Sequence, residues 1–285
     1  MGPLGLLDGK LVHLDDMIVP MEDRGHQFGD GAYEVTRVYN GRCFTFDLHM
    51  ERLYRSLREL RIPATYTPDE LKGFHDRLIA ESGLRESAVY LQITRGVAPR
   101  GHAFPDKVVP RLTMSIRSAA SPTAYREAGA KVILIPDERW LRCDIKSINL
   151  LGNVLGKQQA KEAGCLEAVQ VRDGTVTEGT STNFFAVKDG VLWTHPANNL
   201  ILRGITRTFI MDKIVPKLGL TVLEKPFAPT FLKTVDEAFI CATTTEVVPV
   251  ITINDSPVGG GVPGSVCRQI QTAYDELIDR ECGRR

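Results

Sequence analysis

The sequence has no excess charge of either sign: 35 Lys and Arg balance 35 Asp and Glu among 285 residues, a formal net charge of zero. A nucleic-acid binder needs a basic face and an anionic membrane attracts one, so neither partner is expected. No apolar run approaches the roughly 18–20 residues of a membrane span. The first ten residues already hold Asp8 and Lys10, and no long apolar stretch follows, so no secretory signal is expected. The six cysteines (Cys43, Cys143, Cys165, Cys241, Cys267, Cys282) contain no C-x-x-C pair. Neither a disulfide framework nor a zinc site is suggested, which points to the cytoplasm. The six histidines lack metal-ligand spacing, so no metal is expected. What is there, 43% hydrophobic and 25% charged residues, suits one large globular domain or two ordinary ones.

Strand and helix signals alternate along the chain. Residues 33–39 read as a strand, Asn40-Gly41 as a type I′ turn and residues 43–46 as the returning strand. Asp47 is expected to cap a helix with Met50, Leu53, Leu57 and Leu60 on its apolar stripe. Thr67-Pro68-Asp69-Glu70 is a capping box that opens a second helix, closed by Gly83. Residues 89–93 and 112–116 alternate as strands, with a long Gly- and Pro-rich loop over 95–110 between them. Small residues after Ser118 suggest a linker. A strand over 131–135, a helix over 148–163 and hairpins at Asp173-Gly174 and Asp189-Gly190 follow. The pattern continues with a helix from near Gly204 to Gly219, strands over 238–242 and 248–253, and a helix over 266–278. The expected fold class is α+β / α/β in two domains: 1–117, a linker over 118–130, and 131–285.

Several stretches could carry chemistry. Lys146 lies in a short junction between a strand and a helix, where a desolvated lysine can form a Schiff base; most lysines simply face solvent. Glu178 ends a hairpin strand beside Thr180-Ser181-Thr182. It could hold a cationic ring nitrogen while the hydroxyls bind an anion, or the run could be a polar turn. Leu202-Arg203-Gly204-Ile205-Thr206 opens a helix whose free N–H groups suit a phosphate, and Thr243-Thr244-Thr245 adds hydroxyls. The stretch Gln27-Phe28-Gly29-Asp30-Gly31 is glycine-rich but lacks the G-x-G-x-x-G spacing of a dinucleotide site. In the long loop, Arg100 and His102 suit a carboxylate, or belong to a solvated loop.

Taken together, these residues in this order resemble the class IV (fold type IV) pyridoxal-phosphate aminotransferases, most closely the bacterial D-amino-acid branch. The resemblance runs from Asp23-Arg24-Gly25-His26-Gln27-Phe28-Gly29-Asp30-Gly31 to Pro249. Its most specific stretches are residues 139–147 and Thr194-His195-Pro196-Ala197-Asn198-Asn199. It implies a smaller N-terminal α/β domain and a larger C-terminal pseudo-barrel domain, with the site at their interface.

By the same resemblance Lys146 would hold pyridoxal 5′-phosphate covalently and shuttle the proton, and Glu178 would bind the pyridine nitrogen. Arg52, Ile205, Thr206, Thr243 and Thr244 would hold the phosphate, and Arg139 would lie near the ring hydroxyl. Tyr33, Arg100 and His102 would bind the substrate α-carboxylate. The loop bearing Arg100 and His102 would come from a partner subunit, so a homodimer is implied. Val35 and Arg37 would face the cleft by analogy. Ala242 stands where relatives can carry a serine in the phosphate cup. The implied reaction is ping-pong transfer of an amino group from a D-amino acid, D-alanine foremost, to a 2-oxo acid such as 2-oxoglutarate. The alternatives are a branched-chain L-amino-acid aminotransferase, an aminodeoxychorismate lyase, an (R)-amine transaminase, or a non-catalytic cofactor-binding protein.

Overall fold

The computed structural model describes residues 3–283. Its contacts divide the chain into two compact units. Among the described residues the first contains 3–120, 145–150 and 278–283, and the second 121–144 and 151–277.

The first unit is built on a six-stranded antiparallel sheet. Its members are β1 (Leu4–Leu7), β2 (Lys10–His13), β3 (Gly31–Tyr39), β4 (Arg42–Cys43), β5 (Ser87–Thr94) and β6 (Arg111–Ser118), in the order β2-β1-β6-β5-β3-β4. A short helix α1 (Arg24–Phe28) precedes β3, and α2 (Phe46–Leu60) and α3 (Pro68–Ser82) lie between β4 and β5. Met50, Leu53 and Leu57 of α2 pack with Leu6, Leu91, Ile93 and Met114 of the sheet. The Asn40-Gly41 turn has both residues at positive φ, 51° and 76°, as a type I′ turn requires. Around α3 the capping box at Thr67 and Glu70 is formed, and Gly83 closes the helix in the left-handed conformation.

Two expectations shift here. The returning strand stops at Cys43, because Thr45 takes φ 53°, ψ 34° and turns the chain straight into α2. Thr45 therefore occupies the N-cap position and Asp47 lies within the first turn, where its charge favours the helix dipole.

The second unit contains α4 (Thr123–Ala128), β7 (Ala130–Pro136), α5 (Leu151–Glu162), β8 (Glu167–Arg172), β9 (Thr175–Gly179), β10 (Asn183–Lys188) and β11 (Val191–Thr194). A continuous helical run follows: α6 (Ile205–Phe209), a π-helical turn (Ile210–Ile214) and α7 (Val215–Leu218). Then come β12 (Thr221–Glu224), β13 (Glu237–Ala242), β14 (Glu246–Ile253), β15 (Ser256–Pro257) and α8 (Ser265–Cys282), whose residues from 278 are counted with the first unit. Its curled, mixed sheet runs β12-β11-β10-β13-β14-β7-β8-β9, with β15 on β14. Val132, Val169, Phe184, Ile240 and Val248 form its core.

The expected linker over 118–130 is thus ordered structure: Arg126 of α4 pairs with Glu246 at 2.6 Å and Asp275 at 2.8 Å. The helix expected from residue 148 begins at Leu151 instead. Residues 145–150 are an irregular segment that bridges β3 at Ser147 and Ala32, with Tyr33 N donating to Lys146 O at 3.0 Å and Ile148 N to Gly31 O at 3.0 Å. Backbone groups already paired with a strand cannot also serve a helix, which moves the helix start downstream.

Candidate active site

In the first unit, pairing with β3 puts Lys146 beside the strand's chemistry. Its Nζ lies 4.1 Å from the Tyr33 ring centroid, and that ring stacks on Tyr90 at 5.6 Å. The Lys146 N–H donates to Ser56 Oγ of α2 at 3.2 Å.

Alternation along β3 turns the next residue, Glu34, to the opposite side, where it is wholly buried. Arg52 of α2 grips it through Nε and Nη2 at 2.8 and 2.9 Å, and His49 Nδ1 lies 2.7 Å from it. Burial would push the Glu34 carboxyl up, but Arg52 and His49 outweigh it and hold it at about 2. Burial pushes the His49 imidazole down. Two of Arg52's donor nitrogens are thus committed to Glu34. The sequence alone singled out neither Glu34 nor His49. The available signal was their spacing: His49 and Arg52 are three apart on one helix face.

The second unit presents a different carboxylate. Glu178, near the end of β9, is buried, and its Oε1 accepts from Arg139 Nη1 at 2.5 Å and Leu202 N at 3.0 Å. Its Oε2 accepts from Asn183 Nδ2 at 2.9 Å. Burial pushes this carboxyl up to about 7 despite the pull of Arg139. Arg139 is itself shared, since Asp137 takes its Nε and Nη2 at 2.9 Å each. Asp137 also accepts from Arg172 at 2.9 Å, and its carboxyl, which burial would raise, is held at about 2 by these arginines. With Nε and Nη2 taken, Arg139 can reach a further acceptor only through Nη1. Asp137 and Asn183 hold these two candidates in place and were not themselves singled out by the sequence, although both lie near stretches that carry the resemblance.

Beside Glu178 begins the helical run from Ile205. Its first bond is Thr208 N to Gly204 O at 2.9 Å, so the N–H groups of Ile205, Thr206 and Arg207 precede any intrahelical acceptor. A Cβ on Gly204 would lie 2.0 Å from Asn183 Oδ1, so only glycine fits there. Thr206 is buried, and Thr243 and Thr244 form the turn from β13 to β14 immediately after Ala242. The stretch at Thr194 plays a supporting part. Its Asn199 O accepts from Cys143 N at 2.9 Å, and Asn199 Nδ2 donates to Leu141 O at 2.9 Å. That fixes the turn which follows Arg139.

Of the three expected carboxylate-binding residues, Arg100 and His102 lie together and exposed on the 95–110 loop. Arg100 is 4.6 Å over the Phe28 ring, and the His102 and Phe28 rings are 5.6 Å apart. Tyr33 lies with Lys146 instead, and among the described residues no hydrogen bond or ring contact joins it to that loop. Arg37, expected to face the cleft, is buried: it donates to Ser87 O at 2.8 Å and covers the Tyr39 ring at 4.5 Å. Its charge serves the sheet.

Comparison with known proteins identifies the family. The Amino-transferase class IV family pattern matches residues 31–253. The D-alanine aminotransferase of Bacillus licheniformis is 43% identical over 279 residues, covering 98% of each chain. That of Staphylococcus aureus (strain COL) is 43% identical over 274 residues, 96% of this chain and 97% of the relative. Among solved structures, Escherichia coli branched-chain amino acid aminotransferase superposes with a TM-score of 0.92 at 26% identity, over 97% of this chain and 95% of that one. The enzyme of Thermoproteus uzoniensis gives 0.88 at 25%, over 99% and 97%. A match of this extent, in sequence and in fold, places the chain in the class IV aminotransferase family.

Proposed function

We propose that this chain is a cytoplasmic, homodimeric D-amino-acid aminotransferase that uses pyridoxal 5′-phosphate and takes D-alanine among its donors, with a 2-oxo acid such as 2-oxoglutarate as acceptor. The observation that carries the reading is Glu178, a buried carboxyl pushed up to about 7 among neutral donors and one shared arginine. Such a group is the complement of a protonated ring nitrogen, whose positive charge would relieve the burial cost. The donor set of the second unit fits the rest of the cofactor. Three N–H groups at a helix start and the hydroxyls of Thr206, Thr243 and Thr244 suit a phosphate, as does the Arg52 guanidinium of the first unit.

When bound, the cofactor supplies an electron-accepting ring over which the negative charge left by the departing α-proton is spread. Lys146 would hold the cofactor through Nζ, and the same amine would carry the α-proton between donor and cofactor. The Tyr33 ring, its centroid 4.1 Å from Nζ, flanks that amine. Glu178 keeps the proton on the ring nitrogen, and Asn183 and Leu202 keep Glu178 aimed. Arg139 would meet the ring hydroxyl only through Nη1. Arg100 and His102, supplied by the partner subunit, would hold the donor α-carboxylate. With that group fixed, only the D-isomer turns its α-hydrogen toward Lys146.

A branched-chain L-amino-acid aminotransferase is the second reading, favoured by the superpositions onto such enzymes. A panel of D- and L-amino acids with 2-oxoglutarate separates the two. D-Alanine should be consumed far faster than L-leucine or L-valine, and Lys146→Ala should abolish the reaction. Faster turnover of the L-isomers would overturn the D-specific reading.

A further inference from the structure

The stretch from Asp23 to Gly31 has no part in the chemistry described so far, yet it is among the most tightly bonded in the first unit. Asp23 caps α1 by accepting from Gly25 N at 2.8 Å, and Gly29 ends the helix at φ 67°. That single turn of helix buries Arg24. Its Nε donates to Asp30 Oδ2 at 2.8 Å, its Nη1 to Gly101 O at 2.6 Å and Ala103 O at 3.4 Å, and its Nη2 to His102 O at 3.3 Å. Besides Asp30, the acceptors are three consecutive carbonyls at the tip of the 95–110 loop.

Asp30 ties the other end of the same loop. It accepts from Arg95 Nε at 2.8 Å and Nη2 at 3.0 Å, and Arg95 also donates to Leu60 O at 2.7 Å and Arg61 O at 2.9 Å at the end of α2. Phe104 lies 3.7 Å over the Arg95 guanidinium. Burial would raise the Asp30 carboxyl, but the two arginines hold it below the usual range. The loop is therefore gripped at its root and at its tip, while Arg100 and His102 project from the gripped segment onto Phe28. Burying a guanidinium is costly unless it is paired and hydrogen-bonded, and Asp30 together with the loop carbonyls supplies both for Arg24. A binding loop ordered in advance avoids the entropic cost of ordering at each encounter with substrate.

We propose that Arg24 and Asp30 are positioning residues that hold the loop tip in one conformation, so that Arg100 and His102 form a preorganised seat for the donor carboxylate. The proposal rests on the reading of Arg100 and His102 as carboxylate-binding residues. The test uses holoenzyme carrying Arg24→Lys or Asp30→Asn. Amide hydrogen exchange over residues 100–104 reports the clamp, steady-state kinetics with D-alanine its consequence, and cofactor titration the fold. Exchange over 100–104 should quicken about tenfold or more. KM should rise about tenfold, with kcat within about twofold and cofactor affinity unchanged. In an Arg100→Ala background, Arg24→Lys should raise KM by less than about twofold, because it acts through that residue. Unchanged exchange, a normal KM despite faster exchange, or full additivity with Arg100→Ala would each overturn the proposal. Arg100→Ala alone with a normal KM would overturn the carboxylate reading and the proposal with it. A raised KM in Arg100→Ala beside a normal one in Arg24→Lys would overturn the proposal alone.

Discussion

Two buried carboxylates, one in each unit, lie against an arginine and end up in opposite states. Glu34 accepts both Nε and Nη2 of Arg52 and faces His49, and its carboxyl is held at about 2. Glu178 receives one nitrogen of Arg139 and two neutral donors, and its carboxyl is pushed up to about 7. The difference lies in how much of the arginine each commands. Arg52 gives Glu34 a two-point grip, whereas Arg139 spends its two other nitrogens on Asp137. A fully compensated carboxylate serves structure by aiming its arginine. An under-compensated one is held ready for a cation from outside the chain.

If that contrast is right, the same substitution at the two sites should break different things. Glu178→Gln removes the charge opposite the ring nitrogen, and turnover should fall by about 10²–10³-fold, as for other single electrostatic contacts that act on developing charge. Single-turnover absorbance measurements with D-alanine would read it. Turnover within a factor of a few of wild type would place Glu178 outside the chemistry.

Glu34→Gln should act one step back. Arg52 loses its ionic partner and with it a fixed direction, so the effect should fall mainly on cofactor affinity, weakened by about 10- to 100-fold. Arg52→Ala should weaken it by a similar factor, and the double variant little more, since the two act as one unit. Equilibrium titration of the cofactor checks this. An affinity untouched by Arg52→Ala would remove that arginine from the phosphate site.

The same contrast marks what could be read from the chain. Local rules sufficed wherever a few adjacent residues decide: the Asn40-Gly41 turn, the capping box at Thr67, the Gly83 stop and the Asp-Gly hairpins all formed. They failed where distant pairing overrode them. Residues 145–150 have a helical pattern ahead of them, but β3 claims their backbone, and that pairing is what sets Lys146 beside Tyr33. Lys146 and Glu178 were singled out as candidates through the resemblance. Their supporting residues were not, because Glu34, Asp137 and Asn183 act through side chains far away in sequence, and polar residues of that kind are ordinary along any soluble chain. Arg37 shows the converse: analogy assigned it to the cleft, while Ser87 and Tyr39 keep it in the sheet.

The smallest effect is the one that separates the two carboxylates without touching catalysis, through the pH dependence of the cofactor-free protein. Glu34, depressed from its usual 4.5 to about 2, contributes stability that is complete above 4.5 and fades as the pH falls toward 2. Glu178, raised from 4.5 to about 7, does the reverse. It costs nothing while protonated, and its cost grows as the pH rises from 4.5 to about 7. No single group can contribute more than about 1.4 kcal/mol per pH unit. His49 and His195, whose imidazoles burial pushes down, add stability with rising pH in the same interval, so the readout must be a difference between proteins. Urea midpoints at pH 5, 6 and 7 should therefore decline more steeply, or rise less, in wild type than in Glu178→Gln. Glu34→Gln should lose the part of the profile below about pH 4.5 and rise at least as steeply as wild type between pH 5 and 6.5, because without Glu34 the His49 imidazole is pushed further down. Saturation with the cofactor should erase the gap between wild-type and Glu178→Gln slopes, because a protonated ring nitrogen supplies the missing positive charge. Parallel wild-type and Glu178→Gln profiles without cofactor would mean that Glu178 is already as well compensated as Glu34, and the division of labour between the two arginines would fall.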